Sequence, residues 1–382
     1  MDPIHHHSSS NLSFLGIQLN HAPRINWHHL HWGYGVRSCK TSQGEQISGS
    51  HCSERQEVSE RWVGTENGLM LIDSIASEYT LNRIRSASIE SLPSDQDLVV
   101  QSDYILSIVP PRDALATARR IADACKLSDT ATKRESIEDP DGLPSRRKPY
   151  YVDLNATSAQ LSSEVGSLFA DSSSPSSVLC HFLDGGIIGA PPSPNQDGNW
   201  KKPSMVISGS VDLPPSFGKL AETLNMKLVS PRIGAASTLK LSFAALTKGF
   251  TALSILSFST VQRESLLPEL LEHLEEYSPP IASIAGKGVI GMAPKAYRWV
   301  DEMRGIGETL DTEGCWDGLG ENVYGSFAEV YRKIAEETVL GEERVGNRER
   351  GTTVEDVADI IASGNTRKTS GGGEDSKTSK EG

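Results

Sequence analysis

The longest apolar run of the chain extends from Gly234 to Val261 and contains no proline. Its apolar residues fall on almost every side of a helix, which is typical of a helix that other elements cover all round. Two lysines, Lys240 and Lys248, interrupt the run. Eight positions at about 100° each leave this pair about 80° apart, so it is broadly cofacial. A lysine in such a helix needs a partner or a cavity.

Short apolar runs alternate with helical patterns over the part of the chain before this helix. This alternation is typical of a parallel sheet with right-handed crossovers. From residue 264 to about 340, apolar residues recur at helical spacing, which predicts an all-helical region. The predicted strands are 69–73, 89–92, 104–110, 150–155, 178–186, 204–209 and 226–230.

Polar residues next to the predicted helices indicate where those helices begin. Asp113 is expected to cap a helix over residues 114–125, and Thr157 or Ser158 is expected to cap the helix that follows the strand at 150–155. Residues 93–95 are predicted to be a polar break. The fold class that follows is α/β plus all-α.

Composition divides the chain into four predicted segments. Within the second of them, residues 126–148 are charged and interrupted by proline, and we predict an exposed insertion there. The segments are 1–66, an irregular or disordered leader; 67–230, the sheet domain; 231–345, the helical domain; and 346–382, a mostly disordered tail.

Charge and cysteine usage narrow the classes of partner. Fifty acidic residues against 37 basic ones give a formal net charge of −13, which argues against nucleic acid or an anionic membrane as the main partner. The five cysteines form no CxxC pair, so neither a disulfide framework nor a structural zinc site is indicated. Several side chains of the leader are of types that bind metals: His28, His29, His31 and His51, with Cys39. Their spacing matches no established metal-binding pattern, so we predict no metal site.

The location expected from the sequence is the cytoplasm. Residues 241–258 have the length of a membrane span, but Lys248 at the centre and several Ser and Thr residues make insertion costly, which favours a core helix. The N-terminus has no basic region followed by an apolar run, so we predict no secretory signal.

Three polar segments follow consecutive predicted strands, at the edge where open α/β sheets place ligands. In the first, two prolines without N–H groups end the strand and leave an apolar lip suited to a nucleotide. The second offers short hydrogen-bonding side chains, and the third offers glycines that let a ligand approach the backbone. The residues concerned are Ile108, Val109, Pro110 and Pro111; Asn155, Thr157 and Ser158; and Gly185, Gly186 and Gly189.

Four segments together carry a resemblance to a known family. In order and spacing, SDYILSIVPPRDALATA, YYVDLNATSA, FLDGGIIGAPP and GAASTLKLSFAALTKG resemble the β-hydroxyacid dehydrogenases and their 6-phosphogluconate dehydrogenase relatives, including fungal members with a C-terminal helical domain of unknown function. The resemblance covers about residues 78–340. It implies a Rossmann-like sheet domain, a helical domain, an NAD or NADP cofactor, a small hydroxy acid as substrate and a homodimer.

The resemblance also implies roles for individual residues. Lys240 would take and return the hydroxyl proton. From its place on the same apolar helix, we also expect Lys248 to be a neighbouring cation that favours the neutral form of Lys240. Ile108, Val109, Pro110, Pro111 and Asn155 would border the cofactor. The residues expected to border the substrate are Asn155, Thr157, Ser158, Gly185, Gly186, Gly189 and Lys248.

The chain departs from this family at its N-terminal side. The family opens with a strand and a G-x-G-x-x-G turn that holds the pyrophosphate, whereas Gly33 and Gly35 give only G-x-G here, after a histidine-rich run. Asp73 lies farther from Gly35 than the roughly 20 residues that the ribose-binding position requires. We therefore expect weak NADPH binding.

Two hypotheses follow from this departure. In the first, the chain is an NAD(P)-dependent oxidoreductase whose first exon or reading frame is altered, so that its first strand and helix are absent. In the second, it is a cofactor-deficient module for dimerisation or ligand binding. Residues 188, 190 and 244 differ from many relatives at substrate positions, so the identity of the substrate does not follow from the resemblance.

Overall fold

The computed structural model describes residues 14–17, 69–72, 90–136, 148–171, 177–197, 199–344 and 348–364. The chain divides into two compact units. The first comprises the described residues up to Leu246 together with Asp301–Ser326, and the second comprises Thr247–Val300 together with the described residues from Phe327 onward. The domain boundaries inferred from sequence stay predictions.

The first unit is built on an eight-stranded sheet with the order β10-β9-β6-β5-β4-β1-β2-β3 among the described residues. β4, β5 and β6 are parallel neighbours, as the alternating pattern predicts. β1 is antiparallel to both β2 and β4, and β9 is antiparallel to β6. The sheet strands are β1 Phe14–Ile17, β2 Leu69–Ile72, β3 Glu90–Leu92, β4 Tyr104–Ser107, β5 Tyr150–Asp153, β6 His181–Ile188, β9 Ser204–Ser208 and β10 Met226–Ser230, and a separate hairpin pairs β7 Ser193–Pro194 with β8 Trp200–Lys201.

The central strands are buried on both faces of the sheet. Every residue of β4 and β5 is buried, which is typical of parallel strands covered by helices on both sides. Ile105 and Tyr151 pack into one apolar cluster, whereas Leu106 and Val152 pack into another. Because successive side chains of a strand point to opposite faces, each face has its own core. The predicted Rossmann-like α/β class is confirmed.

Helices surround the sheet and continue into the C-terminal part of the chain. The described α-helices beyond the long helix confirm the predicted all-helical region. The helices are α1 Asp95–Gln101, α2 Ala114–Lys126, α3 Thr130–Glu135, α4 Ala159–Ser167, α5 Pro215–Leu224, α6 Ala235–Arg263, α7 Leu267–Tyr277, α8 Pro279–Met292, α9 Ala296–Gly314, α10 Leu319–Glu337 and α11 Val354–Ala362.

Two segments contain more regular structure than the sequence predicts. Within the predicted irregular leader, residues 14–17 form β1. The rest of the leader lies outside the described residues. The predicted polar break contains the start of α1, whose N-cap Ser94 accepts a hydrogen bond from the Asp97 N–H at 3.1 Å. A serine followed by two acidic first-turn residues is a start signal that our reading of the sequence missed.

The first part of the predicted exposed insertion is mostly exposed, as predicted, but it contains a short helix. Residues 130–135 form α3, and the buried Arg134 of this helix donates to the carbonyl oxygens of Val99 and Ser102, both at 2.6 Å, and to the Asp103 carboxylate at 2.9 Å. This guanidinium therefore satisfies the carbonyls at the end of α1. Residues 137–147 lie outside the described part of the chain.

The predicted caps are confirmed only in part. Asp113 stands at the N-cap position of α2, but its side chain accepts no capping hydrogen bond. Ser158 caps α4, with its hydroxyl oxygen accepting from the Leu161 N–H at 3.2 Å.

The long helix is confirmed over Ala235–Arg263, but other elements of the described chain do not cover it all round. Among the described residues it is the one helix long and apolar enough to cross a membrane, and half of its most apolar window is buried, as in core helices that pass the same test. The prediction of an evenly buried helix is wrong for this chain on its own. Its large exposed apolar side chains are Leu239, Phe243, Leu246, Leu253 and Leu256.

Gly234 directly before α6 gives a test of the local packing. Its φ is +90°, and a Cβ added there would lie 2.9 Å from the Ala159 Cβ. We predict that Gly234→Ala lowers the free energy of unfolding by about 1 to 3 kcal/mol. Gly218 is the matched control: it lies inside α5 with no atom within 4 Å of an added Cβ. Gly218→Ala should raise stability by about 0.5 to 1 kcal/mol.

Urea unfolding of both variants measures this difference. Equal effects of the two substitutions would contradict the structure around Gly234.

Candidate functional site

The site is organised by a buried carboxylate in the middle of β6. In the folded chain the Asp184 carboxylate lies next to the N-terminal end of α6, and three backbone N–H groups there donate to its Oδ2. A carboxylate at a helix N-terminus satisfies donors that have no partner inside the helix and interacts favourably with the helix dipole. The donors are Gly234 N at 3.0 Å, Ala236 N at 3.0 Å and Ser237 N at 3.1 Å.

Three hydroxyl groups complete the shell of Asp184. Ser162 of α4 donates to Oδ1 at 2.7 Å, and Ser237 of α6 donates to the same oxygen at 2.5 Å. Ser208 at the end of β9 donates to Oδ2 at 2.8 Å. Hydrogen bonds to a charged group contribute about 1.5 to 3 kcal/mol each. This one side chain therefore connects two strands and two helices.

Lys240 lies in the second turn of α6, and its ammonium forms an ion pair with Glu302 of α9. The distance from Nζ to Oε1 is 3.1 Å, and the exposed fractions of the two side chains are 13% and 7%. Both residues belong to the first unit. The sequence predicts that Lys240 needs a partner, and Glu302 is that partner.

The stem of Lys240 packs directly on the backbone of β6. A Cβ added to Gly186 would lie 2.6 Å from the Cβ and 2.8 Å from the Cγ of Lys240, and one added to Gly185 would lie 2.9 Å from the Leu154 Cδ2. These glycines lie inside β6 rather than in a loop, which corrects the prediction. The space above them is filled by the chain's own atoms, so their small size serves close packing of α6 on the sheet.

Asn155 connects the ends of β4 and β5. Its Oδ1 accepts from the Val109 N–H at 2.6 Å, and its Nδ2 donates to the Ser107 Oγ at 3.0 Å. Its own N–H donates to the Asp153 Oδ1 at 3.0 Å. Because the amide is buried and engaged on both sides, it fixes the loop after β4 instead of presenting a free group to a ligand.

The loop after β4 presents a partly buried apolar surface, as the sequence predicts. Residues 108–111 are all of intermediate exposure, and a short 3-10 helix, Pro111–Asp113, leads from the loop into α2. Pro110 and Pro111 have no N–H group that would extend the strand. The predicted cofactor contacts are these four residues and Asn155, which the hydrogen bond from the Val109 N–H joins to the loop. We call these five residues the rim.

The remaining predicted substrate residues are placed differently from one another. The Thr157 hydroxyl is buried and has no hydrogen-bond partner within the described chain, whereas the Ser158 hydroxyl is used to cap α4. Gly189 follows β6 with a φ of +113° and is exposed. Lys248 falls in the second unit, where its Nζ lies 5.0 Å from the centre of the Trp299 ring. The predicted role of Lys248 as a neighbouring cation of Lys240 stays a prediction.

Asp153 is a second buried carboxyl, directly beside Asp184 in the parallel register of β5 and β6. Burial raises its pKa from an ordinary value of 3.8 to about 7, and the negative charge of Asp184 adds to the rise, while hydrogen bonds from Asn155 oppose it. Its Oδ2 has no partner among the described residues. The two aspartates thus differ: six donors surround one, and the other holds a proton near neutrality.

Sequence reasoning missed three residues of this site. Asp184 belongs to the segment FLDGGIIGAPP. An aspartate inside an apolar strand indicates a buried carboxylate with hydrogen-bond donors around it, because a buried charge requires donors. The same signal was present at Asp153 in YYVDLN. Glu302 gave no such signal, since acidic residues are common on helices that face solvent.

A comparison with protein families matches the helical part of the chain. Residues 262–334 match the family DUF1932, described as a domain of unknown function. This match confirms the part of the sequence resemblance that concerns a C-terminal helical domain of unknown function. No curated protein matches the chain significantly.

Three solved structures are similar to this chain at low identity. A conserved hypothetical protein from Sinorhizobium meliloti 1021 is 18% identical, with 76% of this chain and 85% of that one covered and a TM-score of 0.46. MTH1747, a protein of unknown function with structural similarity to 3-hydroxyacid dehydrogenases, is 19% identical, with coverages of 68% and 84% and a TM-score of 0.43. An imine reductase from Myxococcus stipitatus, in complex with NADP+, is 13% identical, with coverages of 76% and 91% and a TM-score of 0.40.

The raised pKa of Asp153 predicts how stability depends on pH. Between about pH 4 and pH 7 the folded chain binds a proton that the unfolded chain has released, so stability falls as pH rises through this window. We predict that Asp153→Asn, which resembles the protonated form, removes this fall. At pH 8 the variant should be more stable than the wild type, by on the order of a few kcal/mol.

Urea unfolding at pH 5 and pH 8 tests this expectation. Parallel stability curves for the two proteins would show that Asp153 does not titrate in this way.

Proposed function

We propose that the chain is an NAD(P)-dependent oxidoreductase that interconverts a hydroxyl group and a carbonyl group on a small hydroxy acid. One observation carries the proposal: a buried ion pair joins Glu302 of α9 to Lys240 of α6, the helix that Asp184 anchors next to the Rossmann-like sheet. The four motif segments that resemble β-hydroxyacid dehydrogenases lie in this sheet and in helices next to it. The match of residues 262–334 to a helical domain of unknown function agrees with the same resemblance.

Lys240 is the proposed acid and base. In the oxidation, its neutral amine takes the hydroxyl proton as the carbon loses a hydride, and in the reduction its ammonium returns that proton to the oxygen. Glu302, at 3.1 Å from Nζ, orients the ammonium and stabilises its positive charge. The buried surroundings make both effects stronger than they would be in water.

The described rim fits the nicotinamide half of NAD or NADP, which would supply the hydride acceptor or donor. Residues 108–111 give an apolar edge of intermediate exposure, and Asn155 fixes its position through the Val109 N–H. The unpartnered Thr157 hydroxyl is a polar group available to a substrate in the same part of the fold. The segment around Gly33 and Gly35, which has G-x-G in place of the full G-x-G-x-x-G turn, lies outside the described residues.

The runner-up function is a non-catalytic module for dimerisation or ligand binding that derives from the same family. It is favoured by the exposed apolar side chains of α6 in the first unit, Leu239, Phe243 and Leu246. Titration with NADPH by calorimetry separates the two functions, because the module is expected not to bind the cofactor even when an intact strand and G-x-G-x-x-G turn are placed ahead of residue 68.

Replacing Lys240 tests the proposed catalytic role. We predict that Lys240→Met lowers turnover about a hundredfold or more, while affinity for NADPH remains. Activity is followed by NADPH oxidation or NADP+ reduction with a panel of small hydroxy acids, keto acids and imines. Lys219→Met is the matched control, because Lys219 is exposed on α5. Full activity of Lys240→Met would refute the role.

The variant at Lys240 needs a second one to separate chemistry from folding. Removing the lysine takes this ion pair away from the buried Glu302 carboxylate, at a cost of about 3 kcal/mol. The double variant Lys240→Met, Glu302→Gln removes both charges and should recover most of this stability. It should remain as inactive as the single variant, since the proton carrier is still absent.

We further propose that the chain is a homodimer that buries the exposed apolar face of α6. Leu239, Phe243 and Leu246 follow one another at helical spacing, so they share one side of the helix. We predict that Leu246→Glu shifts the mass measured by light scattering from dimer to monomer. Leu127→Glu is the matched control, at a leucine that is 48% exposed against 77% for Leu246. A monomeric wild type at micromolar concentration would remove this proposal.

A further inference from the structure

The two buried aspartates of the sheet hold different parts of the chain. Asp184 holds the start of α6, whereas Asp153, the last residue of β5, holds the segment that follows its own strand. The Asn155 N–H donates to the Asp153 Oδ1 at 3.0 Å. An aspartate that accepts from the backbone N–H two residues farther on imitates a backbone turn. This hydrogen bond therefore sets the direction in which the chain leaves β5.

The turn after β5 directs the Asn155 side chain to the end of β4. Its Oδ1 accepts from the Val109 N–H at 2.6 Å, and its Nδ2 donates to the Ser107 Oγ at 3.0 Å. Ser107 is also the residue opposite Asp153 in the parallel pairing of β4 with β5. The link is thus closed: strand pairing places Ser107 beside Asp153, and the turn brings the Asn155 amide back to Ser107.

The Val109 N–H is where this link reaches the loop after β4. Pro110 and Pro111 have no N–H group, so the backbone of residues 110 and 111 has no donor with which to hold the loop. The hydrogen bond from Val109 to Asn155 therefore fixes how the apolar residues 108–111 lie relative to the sheet. Asp153 acts on this loop through Asn155 and does not contact the loop in these hydrogen bonds.

The turn requires an acceptor oxygen at Asp153 and no charge. Oδ1 accepts from the Asn155 N–H, whereas the buried Oδ2 has no hydrogen-bond partner among the described residues. Burial raises the pKa of Asp153 to about 7. The proton of the neutral form can occupy Oδ2 and leave Oδ1 as the acceptor, so the neutral carboxyl can make the same turn.

We propose that Asp153 is a positioning residue for the cofactor: its Oδ1 turns the chain after β5 so that Asn155 holds residues 108–111 in place for the nicotinamide half. The cofactor part of this inference rests on the proposed function. The positioning part concerns hydrogen bonds within the chain, so it is measured on the full-length protein without any ligand.

Two substitutions of nearly equal shape separate the acceptor from the rest of the side chain. Both remove the charge, but Asp153→Asn keeps an oxygen that can accept, whereas Asp153→Leu has only methyl groups there. Hydrogen exchange of the Val109 amide is followed by NMR at pH 7, relative to the Ile105 amide of the same strand. We expect relative exchange to be at least about tenfold faster in Asp153→Leu, and close to the wild-type rate in Asp153→Asn.

Val152→Ala is the control for a general loss of stability. Val152 is 0% exposed and packs on the other face of the sheet, so its truncation destabilises the same strand without removing the turn. Relative exchange at Val109 should not change in this variant. Asp153→Ala removes the acceptor with a smaller side chain, in case the leucine prevents folding. The proposal is overturned if Val109 stays protected in a folded variant without the acceptor, or if Val152→Ala or Asp153→Asn releases it equally.

Titration with NADPH by calorimetry tests the cofactor part. Affinity should be at least about tenfold weaker in Asp153→Leu than in Asp153→Asn, because the loop is no longer held in place. Equal affinities of these two variants would overturn the role toward the cofactor. If the wild type itself does not bind NADPH, the proposed function fails, and the exchange of the Val109 amide alone decides whether Asp153 positions the loop.

Discussion

A buried carboxylate at the beginning of a long helix holds the first unit together. Asp184 accepts three backbone N–H groups from the start of α6 and three hydroxyl groups from α4, α6 and β9. A charge in this position would be very unfavourable without such donors, and with them it fixes the direction in which the helix leaves the sheet. The position of Lys240, one turn farther along, follows from this anchor.

Two neighbouring aspartates in parallel strands illustrate how surroundings decide charge. Asp184 meets a full shell of donors, whereas Asp153 is buried beside it and holds its proton to about pH 7. A like charge next to a buried carboxyl makes its ionisation more costly. The site therefore has one aspartate within a shell of donors at the helix terminus, and a separate buried acid, Glu302, in an ion pair with Lys240.

The parts of the fold that local patterns encode were predictable. β4 and β5 begin with apolar runs and are buried throughout, and α6 is a proline-free run of 29 residues, so all three were predicted close to their observed bounds. The antiparallel pairing of β6 with β9 was not predicted, although residues 189–203 contain no helical pattern. A parallel neighbour requires a crossover, usually a helix, and a short hairpin there allows only the antiparallel direction.

For the site, the sequence predicted that some residues need a partner, but it did not identify the partner. Lys240 inside an apolar helix required a partner, but nothing local distinguishes Glu302 from the solvent-facing acids of α9, because the pairing depends on how two helices approach. Gly185 and Gly186 were singled out for the approach of a ligand, whereas the atoms beside them include those of Leu154 and Lys240. Contacts between residues distant in sequence are set by packing, which spacing alone does not reveal.

Hydrogen exchange at the start of α6 tests the central role of Asp184 most directly. In the wild type, the amides of Gly234, Ala236 and Ser237 donate to this carboxylate and should exchange slowly. In Asp184→Ala no side-chain oxygen remains to accept these bonds, and protection of the three amides should fall at least about tenfold, equivalent to about 1.4 kcal/mol. Unchanged protection of these amides in the variant would contradict the account.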